Sequence, residues 1–328
     1  MSSASAKPIR RVAVIGTGLI GASWTALFLA KGLHVVATDI SPGAESSLRR
    51  YVAAAWPALE RFGLSPEASQ SNLTFNADLA QAVFGADLVQ ENGPERIGFK
   101  QQLYGELDVL LPPDVIIASS SSWLTMSEIQ SGATSSPERC VIAHPFNRPH
   151  LIPLVEIVGG AQTSEATIQR AVDFYTSIGQ RTVRLNKEIP GHVSNRLQAA
   201  LAREVYYLVA EGVVSAADVD TALSWGPGLR WGVMGNMMLT HLGSGPGGIE
   251  HFFRQFTGPM AARWKTLGSP ELTPEVQEKL VKSVHDETEG RSIDELTAER
   301  DALLLGLIEL RNGSAQSAAK PNQAGCAA

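Results

Sequence analysis

Cysteine is scarce in this chain of 328 residues, which contains only Cys140 and Cys326. Two cysteines exclude both a disulfide framework and a cysteine-based metal cluster. Such low cysteine usage is typical of a reducing compartment, so we expect a cytoplasmic protein without a metal centre.

An excess of basic charge and long apolar runs are also missing. The chain has 27 Lys and Arg against 33 Asp and Glu, which gives a formal net charge of −6 at pH 7. Nucleic acids and anionic membranes are bound through concentrated positive charge, so neither is expected as the main partner. No apolar run approaches the roughly 20 residues of a membrane span, and the first residues lack a secretory apolar segment. The composition therefore favours a soluble intracellular protein.

Hydrophobic residues make up 44% of the sequence, which is enough for two domains that each have a core. In the first half, short apolar runs alternate with amphipathic stretches, as in βα units around a parallel sheet. The predicted strands cover residues 11–15, 34–39, 87–90, 115–118, 141–143, 154–158 and 182–185, and the predicted helices 20–31, 43–61, 96–110 and 165–178.

The pattern changes after Pro190 and Gly191, where apolar residues such as Leu197 and Leu201 recur at helical spacing and no convincing strand pair follows. We therefore predict an α/β domain followed by an all-helical domain and a tail too poor in apolar side chains to fold. The predicted bounds are 1–188 for the α/β domain (with 1–8 disordered), 189–312 for the helical domain and 313–328 for the disordered tail.

A strand over residues 11–15 leads into a Gly-x-Gly-x-x-Gly turn that opens a helix. In such a turn Gly16 permits the tight bend, Gly18 lets the backbone approach a pyrophosphate, and Gly21 lets the helix pack closely on the strand. The second predicted strand ends in Asp39, where an acid holds the ribose hydroxyls. This combination predicts a Rossmann-type domain whose cofactor-binding residues are Gly16, Thr17, Gly18, Leu19, Ile20, Gly21 and Asp39.

NAD is the expected cofactor, because residues 40–43 after Asp39 offer no arginine for the 2′-phosphate of NADP. FAD is the rival, since some flavoproteins share the glycine turn. For Asp39 itself the alternative is a solvated acid at the end of a strand.

A histidine and a glutamate lie in two neighbouring apolar runs, His144 at the end of one and Glu156 inside the other. A carboxylate in such a run is costly to bury without a partner, and His144 is the obvious one. An imidazole held in this way has one nitrogen committed and the other free to move a proton. A satisfied structural pair is the alternative.

Three further polar segments favour chemistry at this place. The serine run that ends in Ser122 follows a predicted strand, and side chains at such strand ends face the ligand crevice of α/β sheets. Asn147 lies in the loop after His144, and Asn195 lies at the start of the first helix of the second domain. A polar loop, a turn residue and a helix cap are their respective alternatives.

Together these motifs resemble the 3-hydroxyacyl-CoA dehydrogenase superfamily. The glycine turn with Asp39, Pro-Glu-Arg, the serine run, His-Pro-Phe-Asn, Leu-Val-Glu and Gly-x-Val-x-Asn-Arg occur in the family's order over roughly residues 10–250. The resemblance implies an NAD-dependent dehydrogenase whose helical domain binds substrate and carries a homodimer interface. It implies that the catalytic set is Ser122, His144, Glu156 and Asn195, and that Glu95 and Lys100 contact the cofactor.

The sequence departs from the acyl-CoA enzymes, because residues 41–81 lack the lysines that help to hold CoA. The segment after Gly226 resembles the branch of L-carnitine dehydrogenase and L-gulonate 3-dehydrogenase (λ-crystallin), which act on small free 3-hydroxy acids. Arg148 stands where a proline is commoner in the family, and His192 where a phenylalanine is usual.

Four residues are the candidates for substrate binding: Asn147, Arg148, Arg230 and Trp231. The guanidinium of Arg230 suits a substrate carboxylate, and Trp231 with Trp225 and Phe146 suits a quaternary ammonium. A surface arginine and core aromatics are the alternatives.

The residues and the resemblance predict NAD-dependent interconversion of a small L-3-hydroxy acid, carnitine-like or gulonate-like, and its 3-oxo acid. His144 is the predicted general base, Glu156 orients it, and Ser122 and Asn195 bind the reacting oxygen. One alternative is a 3-hydroxyacyl-CoA dehydrogenase of short-chain substrates. The alternative of another class is a non-enzymatic, crystallin-like protein that binds NAD.

Overall fold

The computed structural model describes residues 7–318, with side chains described up to Gly313. The chain divides into two compact units, one ending at Arg196 and the other beginning at Leu197, somewhat later than the predicted boundary after 188. Of the segments predicted to be disordered, residues 1–6 and 319–328 lie outside the described part.

The first unit is built on one sheet of eight strands in the order β3-β2-β1-β4-β5-β6-β7-β8. Neighbouring strands are parallel except β6 and β7, which pair antiparallel. The strands are β1 (Arg11–Ile15), β2 (His34–Thr38), β3 (Leu73–Phe75), β4 (Leu88–Glu91), β5 (Ile116–Ser119), β6 (Cys140–Pro145), β7 (Leu154–Gly159) and β8 (Arg181–Arg184). All seven predicted strands are present, and only the three-residue β3 escaped the sequence pattern.

The helices of this unit cover both faces of the sheet, which explains why its strands read as continuous apolar runs. Val12 and Val14 of β1 belong to the core that includes Trp24 and Phe28, whereas Ala13 belongs to the core on the other face. The helices are α1 (Leu19–Ala30), α2 (Ala44–Phe62), α3 (Leu79–Val83), α4 (Ile97–Leu110), α5 (Met126–Ile129) and α6 (Glu165–Ser177). The strand order reverses between β1 and β4, so the carboxyl ends of these strands form the crevice where α/β folds bind ligands.

The described residues of the second unit form helices and loops without a strand, which confirms the predicted fold class. Its helices are α7 (Ser194–Ala210, which begins in the first unit), α8 (Ala216–Trp225), α9 (Pro227–Trp231), α10 (Asn236–Gly243), α11 (Gly248–Trp264), α12 (Pro274–Thr288) and α13 (Ile293–Ala318). The predicted tail is corrected in part, because α13 includes residues 313–318. Extending a helix that has already formed costs little, even through a polar segment. None of the helices within 7–318 is both long and apolar enough to cross a membrane.

Candidate active site

The glycine turn between β1 and α1 has the shape that a pyrophosphate requires. Gly16 has φ +81°, and a β-carbon there would lie 2.8 Å from the carbonyl oxygen of Asn92. A β-carbon on Gly21 would lie 1.8 Å from the carbonyl oxygen of Gly16, so α1 starts close to the turn. No side chain caps the first turn of α1, which leaves its N–H groups for an anionic ligand.

Asp39 follows β2 and is held beside this turn. Its Oδ2 accepts hydrogen bonds from the backbone N–H (2.7 Å) and the hydroxyl (3.0 Å) of Thr17, and its Oδ1 accepts one from the N–H of Ser41 (2.8 Å). Burial raises the pKa of Asp39, but these hydrogen bonds outweigh it, so the pKa lies below its usual value. An ionised carboxylate therefore faces a cavity of about 720 Å³ that Ile40 and Arg49 also line.

His144 and Glu156 lie directly opposite each other on the antiparallel strands β6 and β7. The Nδ1 of His144 is 2.9 Å from Oε2 of Glu156, and both side chains are buried. Burial raises the pKa of Glu156, but hydrogen bonds led by the one from His144 lower it to about 2. Because an ionised carboxylate only accepts hydrogen bonds, the His144 proton lies on Nδ1 and its Nε2 carries the free lone pair.

Glu156 also binds the first turn of α7. Its Oε1 accepts hydrogen bonds from the backbone N–H groups of Val193 and Ser194, each at 2.9 Å, and its Oε2 accepts one from the Ser194 hydroxyl at 2.6 Å. Sequence reasoning missed Ser194, although a serine at the start of a predicted helix, next to Asn195, was a usable signal. The carboxylate thus has four donors and one fixed orientation.

The serine run after β5 is fixed by two side chains from the predicted set. Asn195 donates from Nδ2 to the carbonyl oxygen of Ser122 at 3.0 Å, so the structure brings these two residues together. Glu95 accepts hydrogen bonds from the N–H groups of Trp123 (3.0 Å) and Leu124 (3.1 Å) and from the hydroxyl of Ser121. Burial raises the pKa of Glu95, and these bonds lower it below its usual value. Glu95 thus holds residues 120–124, which we call the serine loop.

Lys100 is enclosed within the protein, with 1% of its surface exposed. Its ammonium lies 2.8 and 2.9 Å from the two carboxylate oxygens of Glu91, at the end of β4. The hydroxyl of Ser119, the last residue of β5, donates to the same carboxylate at 2.6 Å. The Glu91 carboxylate therefore joins the ends of β4 and β5, and the Lys100 ammonium is engaged in the ion pair with it.

The remaining candidates lie in two places. Asn147 is exposed and Arg148 half-buried in the loop that follows His144, where the Arg148 carbonyl accepts two backbone hydrogen bonds of 2.9 Å. In the second unit, Arg230 and Trp231 line a cavity of about 410 Å³ together with Thr240, Ser244, Phe252 and Phe256. This cavity combines a guanidinium with aromatic faces. No group of His, Cys, Asp and Glu within 7–318 is arranged to hold a metal ion.

Comparison with known proteins identifies the family. The model of the 3-hydroxyacyl-CoA dehydrogenase NAD binding domain matches residues 11–189, and that of the family's C-terminal domain matches residues 191–286. The chain belongs to the 3-hydroxyacyl-CoA dehydrogenase family.

Relatives from two bacteria resemble the chain over most of its length. An L-carnitine dehydrogenase of Streptomyces coelicolor is 44% identical over 306 residues, covering 93% of this chain and 95% of the relative. One of Pseudomonas putida is 43% identical over 309 residues, covering 94% and 96%. This chain also matches the crystal structure of 5-formyl-3-hydroxy-2-methylpyridine 4-carboxylic acid (FHMPC) 5-dehydrogenase, an NAD+-dependent dismutase. The TM-score is 0.80 and the sequence identity 32%, and the match covers 93% of this chain and 99% of that one.

Membership of the 3-hydroxyacyl-CoA dehydrogenase family confirms three predictions. The protein is an enzyme, its cofactor is NAD, and it is an NAD-dependent 3-hydroxy acid dehydrogenase. Neither the acyl-CoA alternative nor the non-enzymatic one is favoured. The glycine turn and the ionised Asp39 fit a dinucleotide without an added phosphate on its ribose.

Proposed function

We propose that this enzyme oxidises L-carnitine at its 3-hydroxyl group to the 3-oxo acid, with NAD+ as the oxidant. One observation carries the proposal: the Nδ1 of His144 is bonded to Glu156, which leaves Nε2 as a base. The two L-carnitine dehydrogenases that match more than nine tenths of the chain support the choice of substrate.

His144 takes the hydroxyl proton on Nε2 as the C3–H bond breaks and the C3–O double bond forms. NAD+ supplies the acceptor for the hydride that leaves C3. Protonated His144 carries a positive charge, which the ionised Glu156 beside it stabilises without taking the proton. With a pKa of about 2, Glu156 stays charged through the whole cycle at neutral pH.

Ser122 and Asn195 bind the reacting oxygen in this proposal. One N–H of the Asn195 amide is used by the Ser122 carbonyl, and an amide has a second N–H to donate. Donors fixed before the reaction stabilise charge on oxygen without reorganising. The Glu95 bonds to the serine loop hold Ser122 in place for this role.

We assign cofactor binding to the six residues from Gly16 to Gly21 and to Asp39. The ionised Asp39 accepts hydrogen bonds from ribose hydroxyls and repels a 2′-phosphate. Arg49, a nearby cation, forms an ion pair with Glu45 at 2.8 Å. In this proposal Lys100, which is enclosed with Glu91, stabilises the fold and does not contact the cofactor.

The ends of carnitine, a carboxylate and a trimethylammonium, suit the side chains of the helical cavity. Arg230 can bind a carboxylate with two parallel hydrogen bonds, and Trp231 offers an aromatic face to a quaternary ammonium. Phe252 and Phe256 add apolar lining. Asn147 and Arg148, in the loop after His144, are the other proposed substrate contacts.

The proposed enzyme acts as a homodimer in the cytoplasm. The described hydrophobic residues that are buried in the helical unit are few: Val209, Ala216, Val219 and Leu305. Large apolar side chains are exposed on it, among them Trp225 (78%) and Leu303 (70%), and a second copy would cover such surface. Light scattering at micromolar concentration tests this, and a monomer would contradict it.

The substrate is tested by NADH formation with L-carnitine, L-gulonate, 3-hydroxybutyrate and 3-hydroxybutyryl-CoA. We expect kcat/KM for L-carnitine to exceed the others by at least about tenfold, since L-gulonate and 3-hydroxybutyrate lack the trimethylammonium group and the CoA ester lacks the free carboxylate. A preference for gulonate or for the CoA ester would overturn the choice of carnitine as the substrate and would leave the proposed type of reaction intact. No oxidation of any of the four would overturn both.

A further inference from the structure

His192 is held in a backbone conformation that residues other than glycine adopt uncommonly. Its backbone φ is +50°, in the left-handed region that a side chain with a β-carbon rarely adopts. Its side chain is buried, with 1% of the residue exposed. Residues kept in such conformations cluster at functional sites.

The hydrogen bonds of His192 define its tautomer. Its Nε2 lies 3.0 Å from the carbonyl oxygen of Ser121, and a carbonyl only accepts, so Nε2 carries the proton. In the neutral ring Nδ1 is then an acceptor, and it is buried without a partner among the described residues. An unsatisfied buried acceptor costs folding free energy that a phenylalanine at this position would avoid.

The unsatisfied ring lies against the catalytic base. The ring centroids of His192 and His144 are 5.1 Å apart, with 41° between the ring planes, which is a direct contact. Burial lowers the pKa of His192, the Ser121 bond opposes this, and the neighbouring His144 lowers it further. Glu156 and Glu95 are the other charged groups that act on it, and both raise its pKa. The net effect is a pKa of His192 below its ordinary value, which favours the neutral ring.

We propose that His192 is a positioning residue of the dehydrogenation, whose Nε2 holds the serine loop and whose neutral ring, with its Nδ1 lone pair, stabilises the positive charge of protonated His144 by direct packing. The proposal rests on the function proposed for His144 as the base. In the oxidation, the proton taken from the substrate sits on Nε2 of His144, and the Nδ1 lone pair of His192 stabilises that imidazolium. The same residue ties Ser121 down, next to Ser122, so one ring aligns the base and the oxygen-binding loop.

Two substitutions separate the two roles. His192→Gln keeps an N–H donor for the Ser121 carbonyl but has no lone pair at the Nδ1 position, whereas His192→Phe keeps a ring against His144 and loses both ring nitrogens. Without the Nδ1 lone pair of His192, protonated His144 is less stable, so both variants should move the acidic limb of kcat/KM for oxidation to lower pH. We expect a shift of about one pH unit. Only His192→Phe should also raise KM, because the serine loop is released.

Binding of NADH, measured by fluorescence, and the melting temperature are recorded for both variants, so that a misfolded protein is recognised. If the pH limb of His192→Gln coincides with that of the wild type, the Nδ1 lone pair does not stabilise protonated His144 and the proposal falls. If His192→Phe retains the wild-type KM, the loop-holding half falls. Turnover retained in His144→Gln would instead overturn the function on which the proposal rests, and this variant therefore distinguishes the two failures.

Discussion

Ser194 donates its hydroxyl hydrogen bond to Oε2 of Glu156, the same oxygen that His144 binds. The backbone N–H of Ser194 binds the other oxygen, Oε1. The Glu156 carboxylate therefore binds both His144 and the first turn of α7, whose N-terminal N–H groups attract negative charge. The orientation of the imidazole depends on where this helix begins.

Removing the Ser194 hydroxyl tests this coupling. In Ser194→Ala, Glu156 keeps both backbone donors and His144, so the fold should survive while the carboxylate gains freedom to turn. We expect kcat for carnitine oxidation to fall about tenfold, the size of one hydrogen bond to a charged group, with little change in the KM for NAD. Ser194→Thr keeps the hydroxyl and serves as the matched control. Equal kcat in the Ala variant and the wild type would mean that the hydroxyl does not orient the dyad.

Asp39 should decide between NAD and NADP. In Asp39→Asn the charge that repels a 2′-phosphate is gone, and the acceptor for the ribose hydroxyls is weaker. We expect the KM for NAD to rise about 10- to 100-fold, and the ratio of NADP to NAD activity to rise as well. Asp173→Asn, an exposed carboxylate on α6, is the control and should leave both values unchanged. An unchanged KM for NAD in Asp39→Asn would remove Asp39 from the cofactor site.

Acid should destabilise the protein through Glu156. Its pKa is lowered from 4.5 to about 2 in the folded protein, so the unfolded chain binds the proton more readily. The stabilisation is complete above the unfolded pKa and is lost as the pH falls from about 4.5 towards 2. The melting temperature should fall over this window, and it should fall less steeply in Glu156→Gln. The same slope in both proteins would show that the hydrogen bonds of Glu156 do not lower its pKa.

Lys100 and Glu91 should act as a structural pair. Lys100→Met leaves the Glu91 carboxylate buried without its partner, which costs about 3–5 kcal/mol of unfolding free energy. The double variant Lys100→Met/Glu91→Gln removes both charges, and we expect it to regain much of that loss. Denaturant unfolding measures the free energies. A large rise in the KM for NAD in the stable double variant would favour a cofactor contact for Lys100 over the structural role.

Sequence periodicity was sufficient for most of the sheet and for the glycine turn, because buried parallel strands are continuous apolar runs. The contact between His144 and Glu156 also followed from sequence, since a carboxylate in an apolar strand needs a partner. The contacts of Ser194 and of the enclosed Lys100 could not be predicted from the sequence. Their partners are brought to them by the pairing of distant strands and by the return of the chain at residues 190–194, and no local pattern encodes either. The three-residue β3 was too short to give a periodic signal.

The most direct test of the proposed mechanism is carnitine oxidation by His144→Gln at neutral pH, with NADH binding measured on the same preparation. Glutamine has no basic nitrogen, so it cannot take the hydroxyl proton, while the glycine turn and Asp39 are untouched. We predict a loss of at least about 10³-fold in kcat, typical for a general base, and NADH binding within about twofold of the wild type. Wild-type-like turnover in this variant would contradict the assignment of His144 as the base.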